Sequence, residues 1–154
     1  FNRNLMLFFT EFTHFSAEVQ SANKKADNTA QKLEMLSLVD EAQAILTDKT
    51  KDLDEIGRLL DVTWRLKRQT GNKVSTDSID MLYDRGIKAG ALGGKLLGAG
   101  GGGFLLFYVE PDKQKAVRAA LQDLMVVPFE FENGGTRVIY YAPETYEPRE
   151  NQAG

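Results

Sequence analysis

The chain lacks cysteine altogether and contains a single histidine, His14, among its 154 residues. Without cysteine it can form neither disulfides nor thiolate metal sites, and one histidine among scattered carboxylates has no recognisable metal-ligand spacing. No apolar run approaches the roughly 20 residues that a membrane-spanning helix needs, and no secretory signal peptide is visible. These absences predict a cytoplasmic protein with no membrane partner and no metal site of its own.

An excess of positive charge is also missing. The chain has 19 lysines and arginines against 22 acidic residues, for a net charge of −3, so no nucleic-acid partner is predicted. Its 42% hydrophobic and 27% charged residues are typical of a globular domain, and the length allows one hydrophobic core. Because the chain opens on Phe1 and enters an apolar run at Leu5, we expect it to be a piece of a longer protein.

Hydrophobic periodicity predicts four strands and several helices. The predicted strands are residues 5–9, 104–109, 129–131 and 138–141, the last two joined by the turn signal Asn133-Gly134. A helical region covers 16–47, a second helix starts near Asp52, a third follows the cap residues 75–77, and a fourth follows Pro111. Gly71-Asn72 is predicted to end the second helix and Gly90 the third.

Each predicted helix carries apolar residues at steps of three and four, which indicate one packed face. The first has Leu33, Leu36, Val39, Ala42 and Leu46; the second has Leu53, Ile56, Leu60 and Trp64; the third has Ile79, Leu82, Tyr83 and Ile87; the fourth has Val117, Ala120, Leu121 and Leu124.

The order of these elements predicts an α+β fold. The predicted order is one strand, a block of helices, a strand, a helix and two strands. This order is typical of a ferredoxin-like sandwich with added helices, in which helices cover one face of a four-stranded antiparallel sheet. We expect this domain to occupy residues 1–142 and a polar tail to follow at 143–154.

The segment Gly98–Ala99–Gly100–Gly101–Gly102–Gly103 has five glycines in six positions. Such a loop exposes backbone N–H groups that can approach phosphate oxygens. The spacing does not complete a P-loop, because Phe104 and Leu105 replace the Lys-Ser/Thr pair, nor a dinucleotide fingerprint, because a strand follows instead of a helix. From the residues alone, a tight structural turn and a phosphate-proximal loop remain equally supported.

A family resemblance bears on this choice. "GGKLLGAGGGGFLLFYV" resembles the third conserved motif of the GHMP kinases, the superfamily of galactokinase, homoserine kinase, mevalonate kinase and phosphomevalonate kinase. "LMLFFTEFTHFSAEV", "VSTDSIDMLYDRGIKAGAL", "VPFEFENGGTRVIYY" and Trp64 are similar to the sugar-kinase branch of D-glycero-D-manno-heptose 7-phosphate kinase and galactokinase-like proteins. The resemblance extends from about Leu5 to Tyr141.

The resemblance implies that this chain is the C-terminal domain of an ATP-dependent kinase acting on an alcohol group. The main ATP motif and, in many members, the catalytic aspartate belong to an N-terminal domain outside these residues. That domain would be the partner of this one and would bind most of the ATP and Mg²⁺, so we expect no catalytic residue here and no activity from this chain alone. The loop from Gly98 to Gly103 would lie beside the nucleotide phosphates.

The acceptor implied by the branch is the anomeric hydroxyl of D-glycero-D-manno-heptose 7-phosphate. The candidate substrate contacts are His14, Arg65, Lys67, Ser75, Asp77 and Lys95. Each also has a structural interpretation: His14 as a structural or solvent-facing residue, Ser75 and Asp77 as helix caps, Arg65 and Lys67 as a solvated helix face with Arg68, and Lys95 as a strand-edge residue. The branch pattern has glycine where Glu11 stands and arginine where His14 stands, which puts the heptose assignment in question.

Other functions fit the same residues. The acceptor could be galactose, fucose or a mevalonate-type substrate. The chain could also be a ferredoxin-like ligand-binding module, or a helix-rich interaction domain, with a purely structural glycine loop.

Overall fold

The computed structural model of the chain describes residues 1–11, 28–70, 75–98, 102–138 and 140. Its strands and helices are β1 (Leu5–Phe9), α1 (Thr29–Thr47), α2 (Asp54–Gln69), α3 (Asp77–Lys88), β2 (Gly93–Leu97), β3 (Phe104–Tyr108), α4 (Gln114–Ala120) and β4 (Met125–Val127). A 3-10 turn at Asn2–Asn4 precedes β1. Across the described ranges, no helix is long and apolar enough to cross a membrane.

The four strands form one antiparallel sheet in the order β2-β3-β1-β4. With helices between β1 and β2 and one between β3 and β4, this is the ferredoxin-like α+β arrangement. The predicted fold class is confirmed.

Two strands differ from the prediction. The structure adds β2 at Gly93–Leu97, which its glycines concealed because glycine has low β propensity. The last strand lies at Met125–Val127 and not at 129–131, because Pro128 cannot donate the next ladder hydrogen bond. No strand covers residues 136–138, and positions 139 and 141 of the predicted return strand lie outside the described residues, as does the predicted tail.

The main core lies between one face of the sheet and α3, α4 and the end of α2. Met6 and Phe8 of β1 are packed there against Leu105 and Phe107 of β3, with Trp64 of α2 fully buried. The helical residues of this core are Ile79, Leu82, Tyr83, Val117 and Leu121. The predicted buried positions of α3 and α4 are therefore confirmed at their centres.

The termini of α3 follow their predicted signals. The Thr76 hydroxyl accepts a hydrogen bond from the Ile79 backbone N–H at 3.3 Å, as an N-cap residue does. Arg85 in the last turn donates to the Ala120 carbonyl and pairs with Asp123 at 2.6 Å, and Gly90 follows the helix with φ +113. These contacts join α3 to the end of α4.

The predicted packed face of α1 is wrong for four of its five residues. Leu33, Leu36, Val39 and Leu46 are 51–62% exposed. The side that packs on α2 and the sheet holds Met35, Leu38, Ala42 and the buried Ile45. Because α1 carries apolar residues on more than one side, two stripes satisfy helical spacing, and contact with α2 decides which one is covered.

Helix α2 lies directly on the sheet. A Cβ added to Gly93 of β2 would lie 1.8 Å from the Gly57 carbonyl oxygen of α2, so the two backbones touch. Ile56 and Trp64 are buried as predicted, whereas Leu53 is 37% exposed. The Asp52 carboxylate accepts from the Asp54 N–H at 2.9 Å at the helix start. The helix ends at Gln69, and the predicted stop at Gly71-Asn72 lies outside the described residues.

Candidate functional site

The glycine segment is the connection of the β2–β3 hairpin. Leu97 and Phe104 are paired across the two strands, so the six residues between them form the hairpin loop. Gly98 and Gly103 at the two ends have φ values of +94 and +113, a conformation that other residues adopt only with strain. A Cβ on Gly98 would meet no described atom within 4 Å, and one on Gly103 only the Leu97 carbonyl at 3.6 Å. Backbone conformation, and not crowding within the described chain, therefore requires glycine at these ends.

The far end of the loop is held by Thr10, directly after β1. The Thr10 hydroxyl donates to the Gly103 carbonyl at 2.9 Å and accepts from the Gly103 N–H at 3.0 Å. The Thr10 backbone N–H also donates to that carbonyl at 2.9 Å. Thr10 is only 2% exposed. Three hydrogen bonds thus fix the last loop residue to the central part of the sheet.

The near end of the loop meets the last turn of α2. The Lys67 ammonium donates to the Gly98 carbonyl at 2.7 Å. Burial, together with the nearby charge of Lys95, lowers the pKa of Lys67 below its ordinary value of 10.5. The close contact of Gly57 with Gly93 fixes α2 on β2, and this brings Lys67 to the loop.

Lys95 lies on β2, three residues before the loop. It lines a groove of about 220 Å³ together with Thr63 of α2 and Met35 of α1. Its side chain is half-buried. Lys95 is near enough for its charge to act on Lys67, and Lys67 is the one of the two that contacts the loop in the described part of the chain.

Two other predicted substrate contacts, Arg65 and Ser75, bind acidic side chains of the chain itself. Arg65 pairs with Asp61 at 2.6 Å. The Asp80 carboxylate binds both Arg68, at 3.0 Å, and the Ser75 hydroxyl, at 2.7 Å. The predicted basic cluster is therefore divided, because only Lys67 points to the loop.

Asp77 is exposed at the start of α3, where Thr76 is the cap. His14, Ala99, Gly100 and Gly101 lie outside the described residues. Across the described ranges, no three histidine or acidic residues form a group that could hold a metal ion.

Thr10 and Glu11 were not among the residues selected from the sequence. Glu11 has φ +58 and is the one described non-glycine residue with positive φ. Glycine at this place in the branch pattern suits that conformation. Glu11 in place of glycine was therefore a sequence signal of a position with positive φ. The only sequence signal for Thr10 was its place directly after a predicted strand.

Chemically, the site can offer an anion two kinds of donor: backbone N–H groups of the glycine hairpin, and the ammonium groups of Lys67 and Lys95. Such groups hold and orient phosphate oxygens and stabilise negative charge.

A family model described as "GHMP kinases C terminal" matches residues 38–127. A D-glycero-alpha-D-manno-heptose 7-phosphate kinase of Campylobacter jejuni is 28% identical over 119 residues, 76% of this chain and 35% of that protein. A mevalonate kinase of Pyrococcus horikoshii is 35% identical over 91 residues, 57% of this chain and 26% of that protein. The solved mevalonate kinase of Methanococcus jannaschii superposes with a TM-score of 0.67 and 27% identity, over 80% of this chain and 37% of that one.

The matched part of the chain thus spans between 26% and 37% of the length of these relatives. The matched region includes α2, the β2–β3 hairpin and both lysines.

Proposed function

Because the chain belongs to the GHMP kinase family, as its C-terminal domain, we propose that it is the C-terminal part of an ATP-dependent sugar or sugar-phosphate kinase. The parent protein would transfer the γ-phosphoryl group of Mg·ATP to an alcohol of the acceptor. The domain would comprise residues 1–142, followed by a tail at 143–154. Since the reaction consumes ATP, we place the parent in the cytoplasm.

The observation that carries this proposal is that both ends of the glycine hairpin loop are held by hydrogen bonds. Its two ends are held by Lys67 at Gly98 and by Thr10 at Gly103. A loop held in this way can present backbone N–H groups to phosphate oxygens without rearranging during the reaction. Phosphoryl transfer depends mainly on such positioning and on charge stabilisation.

In this proposal the loop from Gly98 to Gly103, including Ala99, Gly100 and Gly101, lies beside the nucleotide phosphates. Lys67 and Lys95 supply positive charge from this chain. Mg²⁺ would arrive with ATP and be held mainly by the N-terminal domain, which is the proposed partner. The chain alone would be inactive, because phosphoryl transfer also needs that domain.

The acceptor that we propose is the anomeric hydroxyl of D-glycero-D-manno-heptose 7-phosphate. The support is the extent of the match, since the heptose 7-phosphate kinase aligns with 76% of the chain. His14, Arg65, Ser75 and Asp77 remain proposed contacts, with Arg65 and Ser75 each already bound to an acidic side chain.

A mevalonate-type acceptor is the second candidate. It is favoured by the higher identity of 35% in the shorter match and by the TM-score of 0.67. The test can also identify galactose or fucose as the acceptor, or show that the protein is a non-catalytic binding module.

The test is ADP release by the parent protein with Mg·ATP and each of four acceptors: heptose 7-phosphate, galactose, fucose and mevalonate. The 154-residue chain is the control and is expected to release no ADP. Turnover on heptose 7-phosphate supports both parts of the proposal. Turnover on another acceptor keeps the kinase and rejects the heptose. If the parent turns over none of them, the kinase proposal fails in favour of the binding module.

A further inference from the structure

We infer that the groove between β1, β4 and α4 binds an anionic amphiphile, which is a small molecule that carries an oxyanion group on a short apolar body. The groove has a volume of about 430 Å³, which is within the range of small-molecule sites in proteins. Its lining includes neither Lys67 nor Lys95, nor any described residue of the glycine hairpin loop. The inference therefore goes beyond the proposed kinase and does not depend on it.

The groove lies where the edge of the sheet steps back. Strand β4 pairs with Leu7–Phe9 of β1, and Pro128, which follows β4, cannot donate a further ladder hydrogen bond. The first part of β1 therefore has no neighbouring strand on this side. Apolar side chains line the step, and they are Leu5, Leu7, Val126, Val127 and Phe129. The fold thus leaves an apolar wall beside the start of β1.

Two arginines line the same groove, Arg3 before β1 and Arg118 on α4, and no described acidic residue lines it with them. Within the described ranges, neither arginine has a carboxylate oxygen within 4.0 Å. The other described arginines all pair with a carboxylate, and they are Arg58, Arg65, Arg68, Arg85 and Arg137. The two described arginines without an acidic partner are therefore the two that line this groove, and their charges are available to an anionic ligand.

Gln114 joins the two segments that carry these arginines. Its side-chain Nε2 donates to the Arg3 carbonyl at 2.6 Å and to the Val109 carbonyl at 3.3 Å. Arg118 follows Gln114 by one helical turn and lies on the same side of α4. Val117 is fully buried and holds α4 in the main core. Because both backbone segments are already in place, a ligand has only side chains to order, which lowers the entropic cost of binding.

The ligand class follows from the two kinds of lining. A guanidinium group binds carboxylate and phosphate groups through paired N–H donors, and the apolar wall gains free energy when an apolar body covers it. A neutral apolar molecule would use only the wall, and inorganic phosphate would use only the arginines. An oxyanion on an apolar body uses both. Carboxylates and phosphate monoesters share this chemistry, and the experiment distinguishes these two sources of the oxyanion.

The experiment is a titration of the 154-residue chain at low ionic strength, followed by ¹⁵N–¹H spectra. The probes are hexanoate and hexyl phosphate, with hexanol and inorganic phosphate as the molecules that lack the charge or the apolar body. The variants are Arg3→Gln and Arg118→Gln. The matched control is Lys115→Gln, which removes an exposed cation of α4 that does not line the groove. Because all three side chains are exposed, we expect every variant to fold, and melting curves verify this.

We expect both amphiphiles to shift the amide signals of Leu5, Leu7 and Val127. Each arginine variant should raise their dissociation constants about fivefold, the effect of one unit charge at about 4 Å in water, whereas Lys115→Gln should change them by less than about twofold. Hexanol and inorganic phosphate should bind at least about tenfold more weakly than hexyl phosphate. The tighter of the two amphiphiles assigns the oxyanion as a carboxylate or a phosphate.

The inference is overturned if the wild-type chain binds neither amphiphile, or if hexanol or inorganic phosphate binds as tightly as hexyl phosphate does. These comparisons need no variant, so they hold even if a substitution prevents folding. It is also overturned if Lys115→Gln weakens binding as much as the arginine variants do. The proposed function is tested separately by turnover of the parent protein, and an inactive parent would reject the kinase without affecting this site.

Discussion

At the scale of single residues, Thr10 is the side chain that holds the last residue of the loop. Its hydroxyl both donates to and accepts from Gly103 and is enclosed by the protein. Because Gly103 is the last residue of the glycine loop before β3, the hydroxyl links the end of β1 to this loop. Nothing in residue type distinguishes Thr10 from the other threonines of the chain, and only the fold shows its partner.

Thr10→Val should therefore lower the free energy of unfolding by more than a Thr→Val substitution of similar shape does elsewhere in the chain. Valine keeps the shape but leaves the Gly103 N–H without a partner, which costs about 1–3 kcal/mol in a buried place. Urea unfolding of the chain measures this. In the parent kinase, the same change should raise the KM for ATP more than it lowers kcat.

The matched control for this prediction is Thr63→Val. The Thr63 hydroxyl donates to the Leu59 carbonyl within α2 at 2.7 Å, so its removal leaves no backbone N–H unpaired. We expect a change below about 0.5 kcal/mol there. Equal losses in both variants would mean that the Thr10–Gly103 contact has no special weight.

At the scale of elements, α1 shows where periodicity is insufficient. Its outer stripe of Leu33, Leu36 and Val39 has the same helical spacing as its inner stripe, which includes Ile45. The sequence thus predicts a helix here but not its rotation. The β2 strand is the opposite case, because its backbone pairs fully with β3 although glycine occupies its first two positions.

The rotation of α1 predicts unequal effects of substitution. Leu36→Gln, on the outer stripe, should change the free energy of unfolding by less than about 0.5 kcal/mol. Ile45→Ala, on the inner stripe, removes a 4% exposed side chain and should cost about 2–4 kcal/mol. Chemical denaturation of both variants measures the difference, and the reverse order would show that the originally predicted face is the packed one.

At the scale of the whole molecule, the contact between α2 and the sheet organises the site. Gly57 and Gly93 let the helix and the strand meet backbone to backbone. This contact carries Lys67 to the loop and places it near Lys95. A wider separation of the two elements would move the lysine away from Gly98 and open the site.

Gly93→Ala tests this arrangement. Its Cβ would lie 1.8 Å from the Gly57 carbonyl, so helix and strand must separate, at a cost of roughly 3 kcal/mol or more. Thermal melting gives the loss, and the amide signal of Gly98 should shift as Lys67 moves. Gly98→Ala is the control. Its Cβ meets no described atom within 4 Å, so the expected cost of about 1–2 kcal/mol comes from the strain of the positive φ. Tolerance of Gly93→Ala would argue against close packing.

The sequence by itself determined the fold class, the cores of α2, α3 and α4, and the unusual glycine loop. Hydrophobic period, cap residues and glycine clusters act over a few residues, so they can be read without coordinates. Only the tertiary structure decided the rotation of α1, the existence of β2, the partner of Thr10 and the separation of Lys67 from Arg65 and Arg68. Each of these depends on residues far apart in the chain, such as Thr10 and Gly103, and no local pattern records which distant groups will meet.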